Sequence, residues 1–180
     1  FLSKKHKVSI FEKEKSIFKG ASLANQFRFH LGYHYPRSQK TINEINKSKK
    51  DFISFFGKKV FEKTENYYPF AKNSKLSFKK YEAFLKKNKL KYRKINLLKD
   101  TSTIENTILA DEKNLNYFEA KKLILKKIKN SSIKLYLNKE FKRKLLSKFD
   151  KVIIATYANN NKVLNKLGVK KLDTYKYQLV

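Results

Sequence analysis

Cysteine, methionine and tryptophan are absent from this 180-residue sequence, glycine occurs four times and proline twice. Without cysteine there is neither a disulfide framework nor a thiolate metal site. No apolar run approaches the roughly 20 residues needed to span a bilayer, and no signal-peptide core is visible. A soluble cytoplasmic protein with no transmembrane segment is the expectation. The absence of methionine leaves no initiator. Phe1 opens on what reads as the tail of a helix and Val180 falls inside an apolar, strand-like run. The chain is therefore read as an internal piece of a longer one.

Acidic residues are also scarce, 15 against 44 Lys and Arg, for a formal charge of +29. Such a charge invites a nucleic-acid reading. Yet only Arg28, Arg37, Arg93 and Arg143 are arginine, and the lysines are scattered rather than gathered in one stripe. A surface selected to read phosphates or bases would use more arginine, whose planar fork makes bidentate contacts. Abundant Lys, Asn, Ile, Phe and Tyr match AT-rich codon usage, so no specific nucleic-acid partner is expected, although weak polyanion binding at low salt follows from charge alone. With 41% hydrophobic and 14% aromatic residues, the chain can bury a core.

Along the chain, Val8-Ser9-Ile10-Phe11 reads as a buried parallel strand ending in Glu12, and Lys19-Gly20-Ala21-Ser22 as a turn. Ile42, Ile45, Phe52, Ile53 and Phe56 fall near helical spacing over 38–56. Residues 61–71 are aromatic and extended. Ser77 is a plausible N-cap for a helix over 78–88 with Tyr81, Phe84 and Leu85 on its apolar face. Strands are predicted over 91–97 and 104–110, and an amphipathic helix over 117–129. Residues 132–141 alternate as a half-buried strand, with Ile133, Leu135 and Leu137 on one face. Lys151–Tyr157, with Val152-Ile153-Ile154-Ala155, reads as a buried strand. A helix over 160–167 ends at Gly168 as a C-cap, and 174–180 reads as a last strand. Strands alternating with helices predict an α/β fold with a largely parallel sheet.

An apolar strand ending in an acid matches the second half of a dinucleotide-binding unit, where the carboxylate accepts from adenosine ribose hydroxyls. Glu12 is the candidate. Its glycine motif would lie roughly 10 to 24 residues upstream by the usual spacing, before Phe1. His6, His30 and His34 have no Asp or Glu at ligand spacing, so no metal site is expected. No nucleophile elbow is present for a Ser-His-Asp triad.

Three adjoining segments carry a family resemblance: Gly20-Ala21-Ser22, Asn25-Gln26-Phe27-Arg28-Phe29-His30, and Gly32-Tyr33-His34-Tyr35-Pro36-Arg37-Ser38. They resemble the stretch after the second strand in FAD-dependent oxidoreductases of the D-amino-acid-oxidase-like class. Members near the 2-hydroxyglutarate dehydrogenases show a comparable succession. The resemblance implies that Ser22, Asn25 and Gln26 donate to phosphate or ribityl oxygens. It implies that Arg28 and His30 lie nearer the flavin ring, as candidates for a catalytic role there. Tyr33, Tyr35 and Arg37 would face the substrate. Ile133–Phe141 resembles the strand whose end touches adenine, with the Phe141 backbone at that point. Asp150–Thr156 resembles the strand under the ADP moiety, which would bring Ala155 and Thr156 to the cofactor. That strand commonly finishes with a glycine, and here Tyr157 stands in its place.

The implied fold is an FAD/NAD(P)-binding Rossmann-like parallel sheet, incomplete because its first strand and glycine-rich loop are missing, with part of a mixed-sheet substrate domain. Residues 1–72 and 115–180 would be the first and second parts of the FAD-binding domain, and 73–114 the excursion into the substrate domain. The implied cofactor is FAD, and the partner a small-molecule amine, amino acid or 2-hydroxy acid oxidised by hydride transfer to flavin. Lacking the helix N-terminus that neutralises a pyrophosphate, the chain by itself would bind FAD poorly. Two rival readings stand beside this one: a basic nucleic-acid-binding module using Tyr67-Tyr68-Pro69-Phe70 as a stacking patch, and a flavin-like fold acting only as a scaffold.

Overall fold

The computed structural model describes residues 2–96 and 103–170. After a single 3-10 turn at Leu2–Lys4, the elements run β1 (Ser9–Phe11), β2 (Arg28–Phe29), α1 (Gln39–Phe56), β3 (Phe61–Lys63), β4 (Asn66–Ala71), α2 (Phe78–Lys87) and β5 (Tyr92–Ile95). They continue with β6 (Ile104–Ala110), β7 (Lys113–Leu115), α3 (Tyr117–Lys129), β8 (Lys134–Tyr136) and α4 (Asn160–Leu167). Two compact units result, one of Gln26–Ile124 and one of Phe1–Asn25 with Leu125–Val180. The first contains all of the 73–114 segment together with 26–72 and 115–124.

Within Gln26–Ile124, β4 and β5 flank β6, and both run antiparallel to it. They are therefore parallel to each other, with α2 crossing between them: a split βαβ. The helix begins where Ser77 Oγ accepts the Lys80 N–H, as the sequence predicts for an N-cap. Its Phe78, Tyr81 and Leu85, spaced three and four apart, are all buried. They form the core with Tyr33, Tyr68, Ile108 and Ala110, and Phe70 stacks on Tyr81 at 5.5 Å. Burying each large apolar side chain contributes about 1.5–3 kcal/mol.

A second antiparallel sheet of the same unit has the order β2-β7-β3. Phe29 of β2 lies 5.0 Å from Phe61 of β3 and 5.6 Å from Phe52 of α1. Ser38 caps α1 by accepting the Thr41 N–H, and Ile42 one turn in is fully buried. Its close neighbour is Gly32, whose φ is +119°; a Cβ there would stand 2.4 Å from Ile42 Cδ1. Only glycine meets both demands, conformation and space.

In the other unit, β1 pairs with β8 in parallel, Ile10 opposite Leu135. The alignment runs on past both strands, with the Glu12 N–H donating to Tyr136 O and the Lys139 N–H donating to Glu12 O. Asn138, at φ 51°, ends β8 earlier than the alternation over 132–141 predicts; Asn tolerates the left-handed region. Phe11 stacks on Tyr136 at 4.8 Å and meets Phe141 and Phe149 edge-on at 5.2 and 5.9 Å. Helix α4 buries Leu164 and Leu167. It closes at Gly168 in the left-handed conformation, as predicted.

Two expectations need correction. Helices and strands are mixed as expected, but the sheet is not largely parallel: parallel pairing among the described residues is confined to β1 with β8, and both three-stranded sheets are antiparallel. The strand-helix alternation misled because β6 enters between two strands that do run parallel. Residues 151–156 adopt no strand, and Val152 and Ile153 are 38% and 74% exposed. An apolar run becomes a buried strand only when neighbours pair with it and cover it, and among the described residues none does. The strand predicted over 174–180 lies outside the described residues, as does Leu97 at the end of the 91–97 strand. Among the described residues, no helix is long and apolar enough to cross a membrane.

Candidate functional site

A dense polar constellation lies in the Gln26–Ile124 unit, around the turn between β2 and α1. Strand β2 presents Arg28, and the turn that follows carries His30, Tyr33, His34 and Tyr35. Arg28 Nη1 lies 3.4 Å from His34 Nε2, and its guanidinium carbon stands 4.9 Å from the Tyr68 ring centroid. The His34 ring packs on Tyr68 at 4.8 Å and meets His30 edge-on at 5.2 Å. Tyr35 lies 6.4 Å from both imidazoles. Burial against Tyr68 holds His34 below the ordinary imidazole range, reinforced by His30 and Arg28 and opposed by Glu112.

Glu112 anchors this turn from the short link between β6 and β7. It is 2% exposed. Its Oε1 accepts the Leu31 N–H at 2.7 Å and its Oε2 accepts the Tyr68 hydroxyl at 2.5 Å. Its backbone carbonyl accepts from Asn66 Nδ2 at 3.2 Å. Burial, and then the bond to Glu112, push the Tyr68 phenol far above its usual range. Nothing in the sequence singles Glu112 out, because Asp111-Glu112 after an apolar strand reads as an ordinary solvated turn. The signal that could have found it is the pairing of an acid with a β2 turn full of donors, which only the tertiary structure supplies.

Tyr33 is a core residue, 2% exposed. Its hydroxyl donates to Lys91 O and its own carbonyl accepts from the Tyr81 hydroxyl at 3.1 Å. Burial pushes its phenol up to about 12. Tyr35 and Arg37 are exposed. Gln26, also exposed, offers its carbonyl to Asn114 Nδ2. Tyr67-Tyr68-Pro69-Phe70 lies within β4 with Tyr68 buried and Phe70 packed on Phe78 and Tyr81, so two of the three rings of that aromatic patch belong to the core.

The remaining candidates belong to the other unit. Glu12 stands directly after β1, and its Oε1 accepts the Glu14 N–H at 2.9 Å, which fixes the carboxylate's direction. Phe141 is brought to the same strand end by its contact with Phe11. In the turn at 20–25, Asn25 Nδ2 donates to the carbonyls of Ala21 and Ser22 at 3.0 and 3.1 Å. Thr156 gives both its N–H and its hydroxyl to Asn160 Oδ1, while Ala155 is exposed beside it. Tyr157 has φ 54° and is 81% exposed. Among the described residues, no three His, Asp or Glu side chains gather into a group that could hold a metal ion. No protein-family model, curated protein or solved structure matches the chain.

Proposed function

We propose that this chain is part of a cytoplasmic FAD-dependent oxidoreductase acting on an amine, amino acid or 2-hydroxy acid. The observation that carries the reading is the parallel pairing of β1 with β8, which leaves Glu12 at the carboxyl end of a parallel pair. In α/β sheets that end is where ligands collect, and an acid there accepts from ribose hydroxyls. Two details support it. The Phe141 segment lies beside the same strand end. Tyr157, at the position where the resembling family commonly has glycine, takes the positive φ that glycine favours.

In this reading Glu12 orients the adenosine ribose and the Phe141 backbone lies against adenine. Ser22, Asn25 and Gln26 border the phosphate and ribityl chain, with the Asn25 amide stiffening its turn through Ala21 and Ser22. Ala155 and Thr156 pass under the ADP moiety. The resemblance assigns Arg28 and His30 to the ring and Tyr35 and Arg37 to the substrate, all four within the Gln26–Ile124 unit. FAD, when bound, supplies the two-electron acceptor for the substrate C–H.

The test reads the coding sequence upstream of Phe1 and expresses it joined to the 180 residues. An apolar strand and Gly-x-Gly-x-x-Gly about 10 to 24 residues before Glu12 is expected, with flavin absorbance in the purified protein that Glu12→Ala strongly weakens. A colourless protein, or an upstream sequence without the glycine motif, refutes the reading.

A further inference from the structure

Three groups able to carry positive charge crowd one small space in the Gln26–Ile124 unit: Arg28, His30 and His34. A guanidinium only donates hydrogen bonds. The contact from Arg28 Nη1 to His34 Nε2 therefore requires Nε2 to accept, which puts the His34 proton on Nδ1 and leaves the ring neutral. Partial burial against Tyr68, His30 and Arg28 disfavour the imidazolium there, against a smaller opposing influence from Glu112. His30 Nδ1 is buried and has no hydrogen-bond partner, an uncommon condition for a ring nitrogen.

The neighbours do not cancel this positive bias. Arg28 comes from β2, Tyr35 from the same turn, and Tyr68 from β4. Glu112, between β6 and β7, has its two oxygens engaged by the Leu31 N–H and the Tyr68 hydroxyl. Glu112 opposes the positive bias at His34 only as the smallest of the influences on that ring.

We propose that Arg28, His30 and His34 form a binding site for a small oxyanion, and that His34 takes up one proton as the anion binds. The anion accepts from the Arg28 fork, which frees the His34 Nε2 lone pair. A proton from solvent then binds Nε2, and the imidazolium becomes a second donor, stabilised by the anion's charge. The anion loses no proton, so the balance is one proton taken from water for each anion bound. This site lies within one compact unit; it shares Arg28 and His30 with the flavin reading but does not rest on it, and its test needs no flavin.

The sign of the pH dependence follows. Binding that takes up a proton strengthens as pH falls, by up to about tenfold per pH unit between the midpoints of His34 in the free and bound protein. Above and below that window it is flat.

The chain contains three histidines, and His6 belongs to the other unit, which makes it an internal control. Their ring resonances are followed by NMR from about pH 5 to about pH 8, the range in which imidazoles titrate. The 180-residue protein is compared in chloride, sulfate and oxalate at equal ionic strength. The expected result is a His34 midpoint raised by about half a unit or more in sulfate or oxalate, about a threefold change in proton affinity. His6 should not move, and Arg28→Gln should abolish the shift. Movement of His34 and His6 together would reduce the effect to bulk salt and overturn the proposal. An unmoved His34 in both anions overturns it equally, and these wild-type comparisons decide the matter even if Arg28→Gln fails to fold.

Discussion

Replacing Glu112 with alanine would strip two donors of their acceptor at once. The Leu31 N–H and the Tyr68 hydroxyl end within 2.7 Å of its carboxyl oxygens, at a residue 2% exposed, so water cannot readily take its place. Leaving a buried donor unsatisfied costs about 1–3 kcal/mol. The two together, less the relief of no longer burying a charge, give about 2–4 kcal/mol. That is a large share of the roughly 5–15 kcal/mol by which domains are stable. Glu112→Gln tests the mechanism, because its Oε1 can still accept from Leu31 while its amide donates to a reoriented Tyr68 hydroxyl. Its expected loss is about 1 kcal/mol. The assay is urea unfolding of the whole chain followed by tyrosine fluorescence. With a slope of about 1–3 kcal/mol/M, a 3 kcal/mol loss lowers the midpoint by about 1–3 M. An alanine variant as stable as wild type, or a glutamine variant as damaged as alanine, would refute the hydrogen-bond reasoning.

Gly32→Ala should destabilise by about 2–4 kcal/mol, since it adds a Cβ 2.4 Å from Ile42 Cδ1 at φ +119°. A companion Ile42→Val should recover part of the loss by withdrawing that methyl, and thermal unfolding of the single and double variants measures it. Leu85→Ala, at a fully buried site in the same core cluster as Ile108 and Ala110, should cost about 2–5 kcal/mol by the same unfolding assay. Alkaline unfolding should follow the core tyrosines. The folded protein holds the Tyr33 phenol at about 12 against an ordinary 10.0, and Tyr68 and Tyr81 are raised further. Their contribution is therefore full below pH 10 and lost as pH rises through 10 towards 12. The last phenolate absorbance should appear together with the loss of circular dichroism; ionisation completed while the structure persists would contradict this.

What was legible in the sequence was what local physics decides. The helices over 117–129 and 160–167, the Ser77 cap, the Gly168 stop and the strand over 104–110 all follow from spacing and caps within a few residues. Pairing was not legible, because the partners of β6 depend on register across distant segments. The run Val152-Ile153-Ile154-Ala155 has the composition of a buried strand but no partner among the described residues, and composition alone cannot supply one. Glu112 was invisible for the same reason: its hydrogen-bond partners Tyr68 and Leu31 lie 44 and 81 positions away. Arg28 and His30 were singled out by their motif, whereas the role of His34 as their meeting point needed coordinates.

The split βαβ has a consequence for how the protein is made. Strands β4 and β5 and the helix between them leave the ribosome before β6, yet β6 is the strand that joins them. Until residues 104–110 emerge, two half-formed edges and the apolar face of α2 have nothing to close on, a state open to mispairing with other nascent chains. Strand β1 waits longer still, since its partner β8 is synthesised after the whole Gln26–Ile124 unit. Pairings of such sequence separation are slow to form, so the β1–β8 pair should close last, after the insert has folded.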